Sequence, residues 1–319
     1  MIEPQRIAEE RQKINDTIRA FFRLRDYIEV ETPTLVASPD LAPNFTYFET
    51  TLIAPGEKSH QGALITSPEF SMKKLLGEGL EKIFTFARVF RNFEALGGFH
   101  NPEFTMLEWY TQGKDYVAMM DETETLVREV CAAFGRNFPT FKRVRVRDLL
   151  LETAGVDLDG ADKAALQTAC VRLKISTDSS DTESDLFYRL FLAKAEPTIG
   201  KEPTFLYEYP LCQAALAAKT PDGKYAQRVE LYMEGIELSN GFTELTDPVE
   251  QRARFVSELA ERRTNGKPTF PIDEELLRLL PSVRQPTFGN ALGVDRLHMI
   301  VTGRSRIEDV LLFPASELF

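Results

Sequence analysis

The sequence predicts an α+β fold in which one antiparallel β-sheet is flanked by helices. Strand-like runs fall in two blocks, roughly 27–110 and 204–238, instead of alternating one by one with helices as a parallel βαβ sheet requires. Long helical patterns separate and follow those blocks. At 319 residues, 43% hydrophobic and 27% charged, the chain has a globular composition and the length to bury a large core.

Residues 3–25 carry Ile7, Ile14, Ile18, Phe21 and Phe22 at helical spacing with charges between them, which is an amphipathic helix. Asp26 ends it, 27–30 alternates as a strand, and Pro33 stops that pattern. Residues 45–51, 63–66, 83–90 and 104–110 read as further strands, several divided by turns containing Pro or Gly. Helices are expected at about 115–134, 161–174 and 182–195. Strand character returns at 204–209 and across 228–238. A helix over 248–264 follows, with Asp247 as N-cap and Pro248 in its first turn. A Gly-rich turn at 289–293 opens a helix towards Ile300, and 310–313 closes the chain as a short apolar strand. With no repeat, low-complexity tract or linker, residues 1–319 are expected to form a single domain. Residues 135–200, the least patterned, read as a helical insertion on one face.

The net charge is −11, whereas a protein gripping a long stretch of nucleic acid usually carries a basic surplus. Lys142, Arg143, Arg145 and Arg147 alternate with apolar residues as on an exposed edge strand, either a solvated face or a docking site for an acidic macromolecule. No apolar run approaches the ~20 residues of a membrane span and no signal peptide opens the chain, so the expected location is cytoplasmic. Cys131, Cys170 and Cys212 form no CxxC pair and are expected as plain thiols. With three histidines, any metal should be a hard cation on carboxylates and phosphates.

Three constellations carry chemistry. In the first, Arg91 ends one strand, Asn92 and Glu94 follow, and a Gly-containing loop reaches His100 before Phe104 begins the next strand. Such a hairpin can wrap a nucleotide, with Arg91 on a phosphate, a glutamate on an adenine amine and Phe104 stacked on the base. It can equally be a surface hairpin with an ordinary ion pair. In the second, Glu237 and Glu244 stand seven apart, on opposite faces of an unbroken strand. A bulge or turn at SerAsnGly 239–241 would bring them together, and a cation between them would relieve their repulsion. Otherwise they are solvated strand glutamates. In the third, small residues at Gly289, Ala291 and Gly293 let backbone approach a ligand, and the helix after them offers its N-terminus with Arg296 one turn in. Plain helix capping is the alternative.

Taken in order, the strand ending TyrIleGluValGluThrPro, the ArgAsn hairpin and GlyxAlaxGlyxAspArg resemble the three motifs of class II aminoacyl-tRNA synthetases over nearly the whole chain. HisAsnProGluPheThrMetLeuGlu (100–108) and GluLeuSerAsnGlyPheThrGluLeu (237–245) are closest to the lysyl branch. The resemblance implies ATP-dependent formation of an aminoacyl-adenylate. Arg91 then contacts the α-phosphate, Arg296 the γ-phosphate and His100 the triphosphate. Asn92, Glu94, Phe104, Leu238 and Gly293 complete the ATP site, and Glu237 and Glu244 match the Mg²⁺ and substrate carboxylates. Ser67, Pro68 and Glu69 match the segment that receives the amino acid, with Glu108 and Tyr110 placed for its ε-ammonium and Ala291 at the pocket floor. The hairpin departs from the family pattern, because Phe93 intervenes before Glu94 and lengthens the loop by one residue.

The anticodon-reading β-barrel of lysyl-tRNA synthetases has no counterpart ahead of the first helix, so stable tRNA binding is not expected. The architecture is similar to the stand-alone bacterial paralogue that places a lysyl group, preferentially (R)-β-lysine, on a lysine of elongation factor P. Ala291, where full synthetases tend to have glycine, agrees with a β isomer. The alternatives are a truncated lysyl-type or small-acid amidating ligase and a non-catalytic regulatory paralogue. The resemblance also implies a homodimer formed through the first helix and the strand ending at Pro33.

Overall fold

The structure, a computed structural model, describes residues 3–56 and 58–319. Helix α1 (Pro4–Arg23) forms on the expected period, with Ile7, Ile14, Ile18, Phe21 and Phe22 all buried along one face. Beyond Asp26 the chain enters a two-residue strand, β1 (Ile28–Glu29). Strands β2 (Leu35–Val36), β3 (Glu49–Leu52) and β4 (His60–Leu64) make a small separate sheet in the order β2–β4–β3. Helix α2 (Glu69–Gly77) leads into the long hairpin of β5 (Lys82–Phe90) and β6 (Glu103–Gln112). Helix α3 (Tyr116–Ala133) starts where the Asp115 side chain accepts from the Val117 and Ala118 N–H groups.

Strand β7 (Lys142–Arg145) runs directly into α4 (Val146–Ala154), followed by α5 (Lys163–Arg172) and α6 (Glu183–Leu190). These helices share a core of their own, in which Leu150, Leu186, Phe187 and Phe191 close on Tyr209 and Tyr232. Strands β8 (Thr204–Pro210), β9 (Tyr225–Met233) and β10 (Ile236–Thr243) follow. Helix α7 (Pro248–Thr264) is capped by Asp247 with Pro248 in its first turn, as expected. Helix α8 (Glu274–Leu279), strand β11 (Thr287–Gly293), helix α9 (Val294–Thr302) and a short α10 (Ala315–Leu318) complete the chain.

Eight strands share one sheet in the order β1–β5–β6–β11–β10–β9–β8–β7. The inner pairings are antiparallel, but the outermost pairs, β1–β5 and β7–β8, are parallel. Parallel neighbours need a crossover, and here the segment holding the small sheet and α2 supplies one and α4–α6 the other. Helices α1, α3 and α9 cover one face, where Phe22, Phe84, Trp109, Phe288, Leu292 and Leu297 are fully buried. No described helix is long and apolar enough to cross a membrane.

Several expectations change. The presumed turn at 289–293 is the central strand β11, hydrogen-bonded to β6 on one side and β10 on the other. The run 228–238 is a hairpin, because Glu234 and Gly235 both take positive φ and reverse the chain. Residues 310–313 are not a strand: Ile307 and Val310 are buried one 3₁₀ turn apart, and Leu312 and Phe313 are exposed. The basic strand ends at Arg145, so Arg147 belongs to α4.

Candidate active site

The site forms on the sheet face opposite α1, α3 and α9. Register places Glu108 on β6, Ala291 on β11 and Asn240 on β10 in one row, with Tyr110, Gly289 and Phe242 in the next. Gly289 is demanded by packing, because a Cβ there would overlap the Tyr110 ring and the Glu244 carboxylate. A Cβ on Gly293 would meet only the Arg296 side chain at ordinary contact distance, so the protein's own packing does not require that glycine.

The break in β10 lies between Glu237 and Ser239, just ahead of the expected 239–241. It puts the two glutamates on one face, as an odd spacing requires, but does not bring them to a common partner. Leu238 turns into the helix-covered core, whereas Glu237 and Glu244 face the other side. They keep different company there. Glu237 lies among Glu230, Arg296, Arg228 and Arg91, and burial together with Glu230 pushes its carboxyl well above the usual range. Glu244 is buried, with Oε2 2.5 Å from Lys73 Nζ and no hydrogen-bond partner for Oε1.

Helix α2 closes this end. Ser67 Oγ donates to Glu108 Oε1 at 2.5 Å and accepts from the Glu69 N–H at 3.0 Å. Pro68 is the N-cap, and Glu69 opens the helix with Oε1 2.6 Å from Lys73 Nζ one turn later. Tyr110 OH donates to Glu108 Oε2 at 3.0 Å. Glu108 is 1% exposed, and burial, with Glu69 nearby, pushes its carboxyl up to about 8. Burial also raises Glu69 and Glu244 against the pull of the one ammonium they share. Ser67, Pro68, Glu69, Glu108, Tyr110, Glu244 and Ala291 therefore meet around one pocket rich in buried carboxylates.

The other expected residues meet around the β5–β6 hairpin. The Arg91 guanidinium lies between the rings of Phe45 and Phe104, 4.6 and 5.2 Å from their centroids, and its Nε has no partner. Phe104 is thus a platform for Arg91. Phe93, the extra residue, takes φ 63° and is 94% exposed, so it loops outward. That leaves Glu94 facing inward, with Oε2 2.9 Å from His100 Nδ1. Asn92 Oδ1 accepts from the Phe93 N–H and steadies the turn. Arg296, in the first turn of α9 beyond Gly293, donates to the Glu237 carbonyl at 2.8 Å and so ties α9 to β10.

Sequence reasoning missed Lys73, Arg228 and Glu230. Buried Arg228 donates to Glu230 at 2.7 Å, and Tyr209 and Asn240 donate to the same carboxylate. Arg228 and Glu230 alternate on one strand and Lys73 follows Glu69 by one helical turn, signals too common to single out unaided. The basic run 142–147 is internally paired: Lys142 with Glu202, Arg143 with Asp121, Arg145 with Glu208, Arg147 with Asp157. Among the described residues no group of three His, Cys, Asp or Glu makes an all-protein metal cage. Mg²⁺ is usually held by one or two carboxylates plus substrate phosphates; Glu237 fits that need, whereas Glu230 is taken up by four donors and Glu244, expected as the second metal carboxylate, is held by Lys73.

Similarity to known proteins agrees with this geometry. Residues 3–317 match the model of tRNA synthetases class II (D, K and N). The chain is 41% identical over 309 residues to the elongation factor P--(R)-beta-lysine ligase of Salmonella arizonae, covering 95% of this chain and 93% of that relative. It is 40% identical, at the same coverage, to the proteins of that name from Enterobacter sp. (strain 638) and Proteus mirabilis. Likeness of this degree over nearly the full length makes the chain a ligase, and it belongs to the class II tRNA synthetase family of the D, K and N group.

Proposed function

We propose that the chain activates (R)-β-lysine, or lysine, with ATP and transfers the acyl group to the ε-amino group of a lysine on elongation factor P. The observation that carries this reading is the cluster of buried Glu108 and Glu244 with half-buried Glu69, three carboxyl groups answered by one ammonium. A neutral amino-acid side chain would leave those carboxyl groups in the protonated form that burial favours, whereas a diamino acid brings two ammonium groups that hold them ionised. The acceptor is taken from the name shared by the relatives.

In the first step a carboxylate oxygen of the amino acid attacks the α-phosphorus of ATP and pyrophosphate leaves. Arg91, held in place by its two aromatic neighbours, stabilises the charge that builds on the α-phosphate. Arg296 takes the γ-phosphate, and His100 makes a second triphosphate contact. Asn92 and Glu94 receive the adenine, bounded by Gly293, with Phe104 beneath Arg91; the Leu238 side chain, expected there, lies instead in the helix-covered core on the opposite face. Glu237 would hold Mg²⁺, which when bound neutralises phosphate charge, while Glu244 Oε1 stays free for a substrate ammonium. In the second step the acceptor ε-amine attacks the acyl carbonyl carbon. The bond to AMP breaks, and the nitrogen loses a proton as the amide forms.

ATP–pyrophosphate exchange stimulated by lysine or β-lysine tests the first step, and its absence with both sinks the substrate reading. Incubation with labelled lysine, ATP and either elongation factor P or tRNA tests the second. Label confined to the protein is expected; label on tRNA would move the acceptor to RNA.

A further inference from the structure

Lys73 is a buried cation to which nothing above gives a role. It is 2% exposed and sits on the second turn of α2. Its Nζ reaches Glu69 Oε1 at 2.6 Å and Glu244 Oε2 at 2.5 Å, and lies 5.3 Å from the Phe242 ring centroid. A lysine inside a protein is costly unless its partners are tightly arranged, and this one is anchored by α2 on one side and the end of β10 on the other. The third carboxylate, Glu108, is already held by the neutral donors Ser67 and Tyr110. Further out, Asp40 is held by Thr66 and the Ala42 N–H, and Glu258 lies towards Arg254. The inner shell therefore holds three carboxylates against one ammonium. Once its carboxylate is joined to AMP as a mixed anhydride, a diamino acyl group carries two positive charges, and the shell balances with all three carboxyl groups ionised.

The geometry points to Lys73 as a positioning residue that sets this balance. It takes one oxygen each from Glu69 and Glu244 and leaves the unpartnered Glu244 Oε1 aimed at the amino group of the substrate. The inference rests on the reading of the pocket given under Proposed function. It requires that loss of the Lys73 charge weaken amino-acid capture and leave ATP capture alone, because Arg91 and Arg296 belong to a separate cluster.

The test is pyrophosphate exchange by the full chain with Lys73→Met, which keeps the apolar stem, and with Lys73→Ala. The KM for the diamino acid should rise at least tenfold, the scale expected when buried charges lose their partner, with the KM for ATP held within about twofold. Added n-propylammonium, which restores stem and head together, should recover part of the Lys73→Ala loss, whereas tetramethylammonium at equal ionic strength should not. Unchanged amino-acid KM overturns the inference. So does a parallel rise in both KM values without amine rescue, which marks a merely structural lysine. A wild type that exchanges with neither lysine nor β-lysine sinks the earlier reading and this inference with it; an active wild type beside an indifferent Lys73→Met sinks this inference alone.

Discussion

At the scale of single residues, Glu108 makes the sharpest demands on pH. Its carboxyl sits at about 8 in the folded protein and near the ordinary carboxylate value in the unfolded chain. Between roughly 4.5 and 8 the folded state therefore holds a proton that the unfolded state has released, so stability falls as pH rises through that window. The slope from this one group is at most about 1.4 kcal/mol per pH unit. A melting series from pH 5 to 8 should show the decline, and Glu108→Gln should make it shallower without abolishing it, because Glu237 and Glu244 are raised in the same direction; a flat wild-type profile would count against the buried acid. The same substitution should raise the KM for the diamino acid while exchange still responds normally to ATP. Gly289 gives a second residue-level expectation. Gly289→Ala should cost about 1–3 kcal/mol in denaturant unfolding, because the new methyl must displace Tyr110 and Glu244. Gly293→Ala has no such clash and should leave stability within about 0.5 kcal/mol.

At the scale of elements, the contacts that align α1, β6 and α9 were invisible in the sequence. Asp295 is buried, pairs with Arg11 of α1 and accepts from the Thr105 N–H of β6 at 2.7 Å. Glu10 of α1 receives Arg304 at 2.6 Å and lies 3.1 Å from His298. Replacing Asp295 by Ala strands a part-buried guanidinium and an N–H group at once. It should cost about 3–5 kcal/mol in denaturant unfolding, and a loss below about 1 kcal/mol would show that the staple is loose. Local patterns such as the α1 stripe, the Asp247 cap and the strand runs of β5 and β6 were legible because neighbours in sequence determine them. Strand β11 was misread because GlyAsnAlaLeuGly has turn composition, and only the bulk of Tyr110 and Glu244 across the sheet explains its glycine. The Glu237–Glu244 relation was half legible. The odd spacing demanded a bulge, but nothing local announced that Lys73, more than 160 residues earlier, already holds Glu244.

At the scale of the whole molecule, the site straddles elements from both ends of the chain, so its precision depends on how the sheet edges are finished. The β7 edge is finished internally: its basic side chains are matched one by one with acids, and α4 begins where it ends. The β1 edge differs. Only two residues of β1 pair with β5, and Leu24 and Ile28 are 80% and 56% exposed beside them. That is where motif 1 of the family falls, and an exposed apolar edge of this kind is suited to burial against a symmetric copy. The expected homodimer should therefore sediment at about twice the 36.2 kDa chain mass at micromolar concentration. Ile28→Lys, which puts a charge on that edge without touching Arg91, Glu237 or the Lys73 cluster, should shift the protein towards the monomer. Sedimentation of the wild type at the mass of one chain would end the dimer proposal. A dimer indifferent to Ile28→Lys would place its interface elsewhere.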